Sequence, residues 1–247
     1  IVSHVIGVFS LLRGKLNLIL KEFNYIRILI LAKKYIDFPK YNILSSYITN
    51  MIQFLLILFL SGMYSVATVG LFYLSQKVLG IVTNIIGNAI RVNIYQVFSE
   101  RFRENKPMLA YFDNILLKVS LSSILFYFIL YLFLNLYLDG FLQEEWSGIS
   151  ELAKPLIFMY LIQFISIPLS FVYYIFGKQK QDLYFQIYRL LVLMLSTGIA
   201  FYYEYHAGEF LLLYSLLQSV SYLLQLQQSR RFTKEYEYTR RQINVKI

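Results

Sequence analysis

Residues 67–96, ATVGLFYLSQKVLGIVTNIIGNAIRVNIYQ, are apolar and long enough to cross a bilayer as a helix, yet they include a lysine and an arginine. At 100° per residue, six polar side chains of this stretch fall within about 60° of one another on one helical face. They are Tyr73, Lys77, Asn84, Asn88, Arg91 and Tyr95. Because an ionised side chain in hydrocarbon costs several kcal/mol, this face should lie against other helices or a water-filled cavity.

Five further segments have the length and composition of membrane-spanning helices. We predict the six spans at about residues 41–62, 67–96, 115–138, 152–176, 184–203 and 209–227. The chain is 58% hydrophobic and 15% charged, whereas soluble domains are about 45–50% apolar and about 25% charged. We therefore expect an all-α polytopic membrane protein with six transmembrane helices.

Basic residues divide unevenly between alternate loops. The segments 13–41, 97–114, 177–189 and 228–247 carry 19 of the 23 lysines and arginines, whereas the loops 63–67, 139–154 and 203–209 carry one, together with six acidic residues. By the positive-inside rule the basic set faces the cytoplasm, so Lys106 and Gln179 should lie inside and Gly140 and His206 outside. Both ends of the chain are then cytoplasmic.

The regions outside the six spans have distinct compositions. Residues 1–12 are apolar but too short to span, so we interpret them as the end of a truncated preceding transmembrane helix. Residues 13–40 hold seven basic residues among apolar ones and are expected to form a cytoplasmic amphipathic linker, with an interfacial helix at about 15–35. Residues 41–228 form the six-helix lobe, and 229–247 a basic cytoplasmic tail at the interface or in solution.

The residues from about 32 to 228 resemble the polysaccharide repeat-unit (O-antigen type) flippases of the multidrug/oligosaccharidyl-lipid/polysaccharide exporter superfamily. The resemblance is carried by the order and spacing of AKKYIDFPKYNILSSYITN, VGLFYLSQKVLGIVTNIIGNAIRVNIYQVFSERFRE, FLQEEW and PLSFVYYIFGKQKQDLYFQIYRLL. Gln143 stands where the family loop often has glycine before Glu-Glu-Trp. The resemblance implies a two-lobe transporter of which this chain is the C-terminal lobe, located in the bacterial plasma membrane. It also implies a substrate, undecaprenyl-diphosphate-linked oligosaccharide destined for lipopolysaccharide or other surface polysaccharide, and a missing N-terminal lobe as partner.

The polar face of residues 67–96 supplies the candidate substrate-binding residues, which are Lys77, Asn84, Asn88 and Arg91. Lys77 lies about 15 Å deep and could meet a diphosphate, or it could bond to a neighbouring helix. Arg91 is as consistent with an interfacial anchor as with a cavity role, and the two asparagines could be helix–helix contacts instead of ligand contacts. Lys118 is interpreted as a snorkelling anchor only a few residues inside its span.

A second group of polar residues, Asp182, Gln186 and Arg189, shares one face at the start of the fifth span. It is a possible cytoplasmic gate, and the alternative is a solvated helix start.

Other functions fit the residues less well. A cation-coupled multidrug exporter of the same superfamily is the alternative, but it favours intramembrane carboxylates, and none stands between residues 41 and 228 outside the span ends. A membrane enzyme needs paired catalytic groups, and the two histidines, His4 and His206, are far apart with no matching ligand set. There is no cysteine. We therefore expect a non-enzymatic protein without a metal or cofactor, whose partners are membrane lipids and not nucleic acid.

Overall fold

A computed structural model describes residues 25–138 and 148–245 of the chain. It is 91% helical, and no strand occurs among these residues. The helices are α1 (Tyr25–Lys34), α2 (Asp37–Met63), α3 (Val66–Arg103), α4 (Leu109–Phe133, continued by a π-helical turn at Leu134–Leu138), α5 (Gly148–Leu169), α6 (Val172–Ile175), α7 (Gln179–Tyr202) and α8 (Ala207–Val245). The predicted stub at 1–12 and the loop motif at 141–146 lie outside the described residues.

Six helical segments are long and apolar enough to cross a membrane. They are Asp37–Met63, Val66–Arg103, Leu109–Leu136, Gly148–Ile175, Gln179–Tyr202 and Ala207–Gln242. Each contains one of the six predicted spans or most of it, so the prediction of an all-α, multi-pass membrane protein is confirmed.

The chain divides into two compact units, residues 1–40 and residues 41–247. In the first unit, α1 covers the second half of the interfacial helix predicted at 15–35. Its described apolar side chains include Tyr25, Ile26 and Ile30, each more than 60% exposed. Such an apolar surface on a short helix is typical of a segment that lies against lipid.

In the second unit, α5 is the central helix. It packs against α3, α4 and α8, and 67% of its most apolar stretch is buried, compared with 17% for α4. A helix that is apolar on all sides is stable at the centre of a bundle, whereas α4 presents most of its surface to lipid. Hydroxyl groups tie α5 to its neighbours: Ser75 Oγ donates to the Ile149 carbonyl at 3.1 Å and Ser123 Oγ to the Leu161 carbonyl at 3.0 Å.

Alternate connections meet at opposite ends of this bundle. At one end, the Tyr64 hydroxyl donates to the Tyr205 carbonyl at 2.8 Å, which joins the α2–α3 turn to the α7–α8 turn. At the other end, the Met108 amide donates to Glu237 Oε2 at 3.0 Å, which joins the α3–α4 connection to α8. The second end holds the basic loops of the sequence and is called the basic end below.

The helices at the basic end are longer than their predicted spans. Helix α3 continues to Arg103, and α8 runs without interruption to Val245, so the predicted boundary between lobe and tail at 228 is not a helix end. Hydropathy alone places a span's end where polar residues begin, but a helix continues wherever its polar residues find partners. Here Arg240 donates to Glu237 Oε1 within α8 at 2.8 Å, and just beyond the end of α3 Lys106 pairs with Glu104 at 2.6 Å. The hydrogen bond from Lys106 holds the pKa of the Glu104 carboxyl below its usual value.

Tight turns at this end depend on unusual backbone angles. Gly177, between α6 and α7, has φ of +67°, which glycine adopts without strain. Asn105, after α3, has φ of +52°, and asparagine tolerates this region better than other residues with a Cβ.

Candidate functional site

The first candidate site is the cationic face of α3, defined by Lys77, Asn84, Asn88 and Arg91. Ser65 caps the helix: its hydroxyl accepts from the Thr68 amide at 3.2 Å, so α3 begins directly after the turn. The Lys77, Asn88 and Arg91 side chains are exposed on the surface of the second unit. The Asn84 side chain lies outside the described part of the structure.

The opposite face of α3 packs into the bundle. Its buried side chains repeat at helical spacing and include Phe72, Ser75, Leu79, Thr83, Ile94 and Phe98. The Thr83 hydroxyl lies 2.7 Å from the Tyr127 hydroxyl on α4. These contacts fix the rotation of α3 about its axis, and therefore fix the cationic face on the outside.

Lys77 lies near the middle of the bilayer. It is eleven residues from the start of α3, or about 16 Å along the helix axis, and the hydrocarbon core is about 30 Å thick. Its Nζ stands 5.2 Å from the centroid of the Tyr73 ring. Among the described residues it makes no ion pair with a carboxylate, so a cation–π contact of about 0.5–2 kcal/mol is its only visible compensation.

Arg91 lies much nearer the basic end. It is 25 residues from the start of α3, or about 37 Å, which exceeds the thickness of the hydrocarbon core. At that depth the guanidinium reaches the headgroup region, so the anchor interpretation and a role at the mouth of a cavity both remain open. Asn88 lies one helical turn closer to the centre on the same face.

Polar side chains of α2 extend this surface. Gln76 Nε2, on α3 beside Lys77, donates to Gln53 Oε1 on α2 at 3.4 Å. Asn50 and Ser46 follow at helical spacing on α2 and are also exposed. The exposed polar surface therefore continues from α3 onto α2.

A second candidate site is a buried polar network between α2, α5, α7 and α8. It consists of Thr49, Ser166, Asp182, Gln186, Arg189, Gln218, Tyr222 and Gln225. All but Thr49, which is partly buried, are at most 8% exposed. Such a network is stable in a membrane only when its polar atoms find partners.

Arg189 is the centre of this network. Its Nε donates to Gln218 Oε1 at 3.2 Å, one terminal nitrogen to Gln186 Oε1 at 2.8 Å, and the other to the Tyr222 hydroxyl at 2.6 Å. Gln218 returns a bond to the Arg189 carbonyl at 3.0 Å. Three side chains on two helices thus hold the planar guanidinium in one orientation.

Asp182 supplies the countercharge. Its Oδ1 accepts from Gln225 Nε2 at 3.2 Å and from Gln186 Nε2 at 3.4 Å. Because Gln186 also accepts from Arg189, its amide relays the interaction between the carboxylate and the guanidinium. Thr49 on α2 donates to the same Gln186 oxygen at 3.2 Å, so these hydrogen bonds join three helices.

The interpretation of Asp182, Gln186 and Arg189 as a solvated helix start is therefore wrong. Helix α7 begins at Gln179 instead of 184, which places Arg189 about 15 Å from its start, close to the middle of the span. The prediction that Lys118 lies only a few residues inside its span is also wrong, because α4 begins nine residues before it. Lys118 is exposed, but at about 14 Å from the start of α4 it is nearly as deep as Lys77, which does not favour the snorkelling interpretation.

The α8 members of the network were not predicted from the sequence. Gln218, Tyr222 and Gln225 recur at intervals of four and three residues inside an apolar run. That spacing places them on one helical face, and it is the same signal that singled out α3. The glutamines mark a helix–helix contact because an unpaired amide is costly in lipid.

No group of three or more histidine, aspartate or glutamate side chains lies close enough to hold a metal ion within residues 25–138 and 148–245. Both sites contain cationic and amide side chains. Such groups donate hydrogen bonds to the oxygen atoms of an anion or of a neighbouring side chain.

Comparison with known protein families, curated proteins and solved structures finds no match to this chain.

Proposed function

We propose that this chain forms the C-terminal six-helix half of a bacterial plasma-membrane flippase that moves undecaprenyl-diphosphate-linked oligosaccharide repeat units for surface polysaccharide synthesis. The observation that carries the proposal is Lys77: an exposed cation near mid-membrane, on a helix whose other face is packed. Intramembrane charges almost always face a bundle interior or a water-filled cavity and mark substrate or ion pathways by default, so an outward-facing lysine implies a further surface that encloses it.

The chemistry of the cationic face suits a diphosphate. An ammonium group and a guanidinium group form short charge-assisted hydrogen bonds to phosphate oxygens, and the exposed amides of α2 and α3 suit sugar hydroxyls. A diphosphate that enters such a site brings the negative charge that Lys77 lacks among the described residues.

A second half of the transporter is needed to enclose the site. The exposed ammonium group of Lys77 would otherwise lie in hydrocarbon, where an ionised side chain is costly. In transporters built from two halves, the substrate site lies between them, and rocking of one half against the other exposes it alternately to the two sides. We propose an N-terminal lobe as the surface that covers this face.

The basic end of the bundle is proposed to face the cytoplasm, with both chain ends on that side. Single cysteines test this, since the chain has none. His206→Cys and Lys106→Cys are exposed sites at opposite ends, and an impermeant maleimide applied to intact cells should label only the first. Labelling of only the second would invert the proposed topology.

The proposal is tested by Lys77→Leu in the complete transporter. We expect surface polymer to be lost while membrane abundance stays equal or rises slightly, because the substitution removes a costly charge that only transport requires. The matched control is Lys118→Leu, the same change at another exposed lysine within a span, which should leave display unchanged. Normal display with Lys77→Leu would refute the role assigned to this residue.

A cation-coupled exporter is the second candidate, and buried Asp182 favours it because such exporters use intramembrane carboxylates. The two candidates separate when the same cells are tested for efflux of a cationic dye. Dye efflux that survives Lys77→Leu and fails with Asp182→Asn would favour the exporter. Dependence of polymer display on Lys77, without dye efflux, favours the flippase.

A further inference from the structure

A groove of about 680 Å³ runs between the outer faces of α7 and α8 near the basic end. Phe185 and Tyr188 line it from α7. The α8 wall combines Leu224 and the amides of Gln227 and Gln228 with three basic residues, Arg230, Arg231 and Lys234. The groove is thus aromatic and apolar on one side and amide-rich and cationic on the other.

The groove crosses the boundary between acyl chains and headgroups. Gln227 lies 20 residues from the start of α8, or about 30 Å, which is the thickness of the hydrocarbon core. Lys234 lies 27 residues from that start, or about 40 Å, at the outer limit of the headgroup region. Leu224 is one turn deeper than Gln227, so the apolar wall lies at acyl-chain depth and the cations at headgroup depth.

The three cations differ in how firmly they are held. Arg230 makes a two-pronged pair with Asp113 on α4, at 2.8 and 3.0 Å, which fixes its position. Arg231 pairs with Glu235 at 2.9 Å, but both side chains are more than half exposed, so this pair contributes little and exchanges readily. Lys234 is exposed and makes no ion pair among the described residues. Three positive and two negative charges leave the groove with a net positive charge.

We propose that this groove binds an anionic phospholipid from the leaflet at the basic end, with the phosphate at Arg231 and Lys234 and an acyl chain along Phe185 and Tyr188. Charge and depth both favour this occupant. Basic pockets between membrane helices at this level select anionic headgroups, and each cation near the surface adds about a fivefold preference. The chain's own residues 13–40 carry seven basic residues and only two acidic ones, so charge repulsion disfavours them as the occupant. The site is distinct from the cationic face of α3 and does not depend on the proposed transport function.

The test places a fluorescent reporter in the groove of the full chain. Trp146 is the only tryptophan, so Trp146→Phe with Tyr188→Trp leaves a single reporter on the groove wall. The protein is reconstituted in phosphatidylcholine vesicles containing one fifth phosphatidylglycerol. Bromine, which quenches tryptophan, is carried either by the phosphatidylglycerol or by an equal amount of the phosphatidylcholine.

We expect brominated phosphatidylglycerol to quench the reporter more strongly than brominated phosphatidylcholine. Adding Arg231→Gln and Lys234→Gln should lower this preference roughly fivefold per cation removed. The charge-matched control adds Arg103→Gln and Arg241→Gln, at exposed positions of the basic end that do not line the groove, and should preserve the preference. Helical circular dichroism of both variants checks that they are folded.

Two outcomes would overturn the proposal. Equal quenching by the two brominated lipids in the reporter protein means that the groove has no preference for anionic lipid. An equal loss of preference in the groove variant and the control variant means that only the overall charge of the basic end attracts the lipid.

Discussion

Arg189 and Lys77 both lie near the middle of the second unit, and their surroundings are opposite. Arg189 is 7% exposed and donates from all three of its guanidinium nitrogens to side chains within the bundle. Lys77 lies at a similar depth and is exposed; among the described residues its ammonium group makes a cation–π contact with the Tyr73 ring and no ion pair. Both charges are costly in hydrocarbon. The two residues differ in which groups stabilise the charge.

The comparison separates structural charge from functional charge. The Arg189 network has its countercharge, Asp182, and its relay, Gln186, within the unit, so it is complete as folded. Lys77 has no countercharge among the described residues of the unit. The cost of its charge must therefore be offset by a partner surface, by water or by a bound anion. A buried network whose polar groups are paired holds helices in one register, whereas an exposed lysine without a countercharge among the described residues is available to a ligand.

The largest expected effect comes from breaking the complete network. Arg189→Leu leaves Asp182 buried without a countercharge and removes the donors to Gln186, Gln218 and Tyr222. We expect a loss of about 3–5 kcal/mol in the free energy of unfolding, seen as a lower unfolding temperature in detergent and lower membrane abundance.

The control for this prediction is the double variant Asp182→Asn with Arg189→Gln. It removes both charges and keeps groups able to form hydrogen bonds, so it should recover part of the loss. The coupling between the two positions should be about 0.5–3 kcal/mol. A double variant whose loss equals the sum of the losses of Asp182→Asn and Arg189→Gln, each measured alone, would show that the relay through Gln186 does not couple the charges.

The cationic face of α3 and the buried network should also differ in their accessibility to water. In the complete transporter, Asn88→Cys should react readily with a hydrophilic maleimide, because the cationic face is proposed to line an aqueous cavity. Ser219→Cys, a near-isosteric change at a fully buried site on α8, should resist. Leu121→Cys on the exposed face of α4 distinguishes water from lipid, since it is 60% exposed but expected to face acyl chains. If Asn88→Cys reacts no faster than Leu121→Cys, the face lies against lipid or is covered.

Local features of this structure could be predicted from the sequence, whereas contacts between distant helices could not. Apolar length located the six spans, and helical spacing placed Lys77 and Arg91 on one face, because both signals are local. The network was missed because its members come from four helices, and α7 begins with the polar residues QKQD that hydropathy assigns to a loop. Whether Arg189 is solvated or buried depends on Gln218 and Tyr222, which lie 29 and 33 residues further along the chain.

The smallest expected effect compares the same chemical change in the two regions. Gln53→Leu removes a single exposed hydrogen bond of 3.4 Å to Gln76 and leaves no buried group without a partner. We expect it to change the free energy of unfolding by less than about 0.5 kcal/mol, as is usual for exposed sites.

Gln218→Leu removes the acceptor of Arg189 Nε and the donor to the Arg189 carbonyl, so two buried groups lose their partners at a cost of about 1–3 kcal/mol. Chemical unfolding of the two purified variants in the same detergent measures the difference directly. Because each substitution replaces an amide by an isobutyl group, the change in side-chain hydrophobicity is matched. Equal losses of stability would mean that the exposed Gln53–Gln76 contact matters to the fold as much as the buried contacts of Gln218, which would contradict the distinction drawn between the exposed face and the buried network.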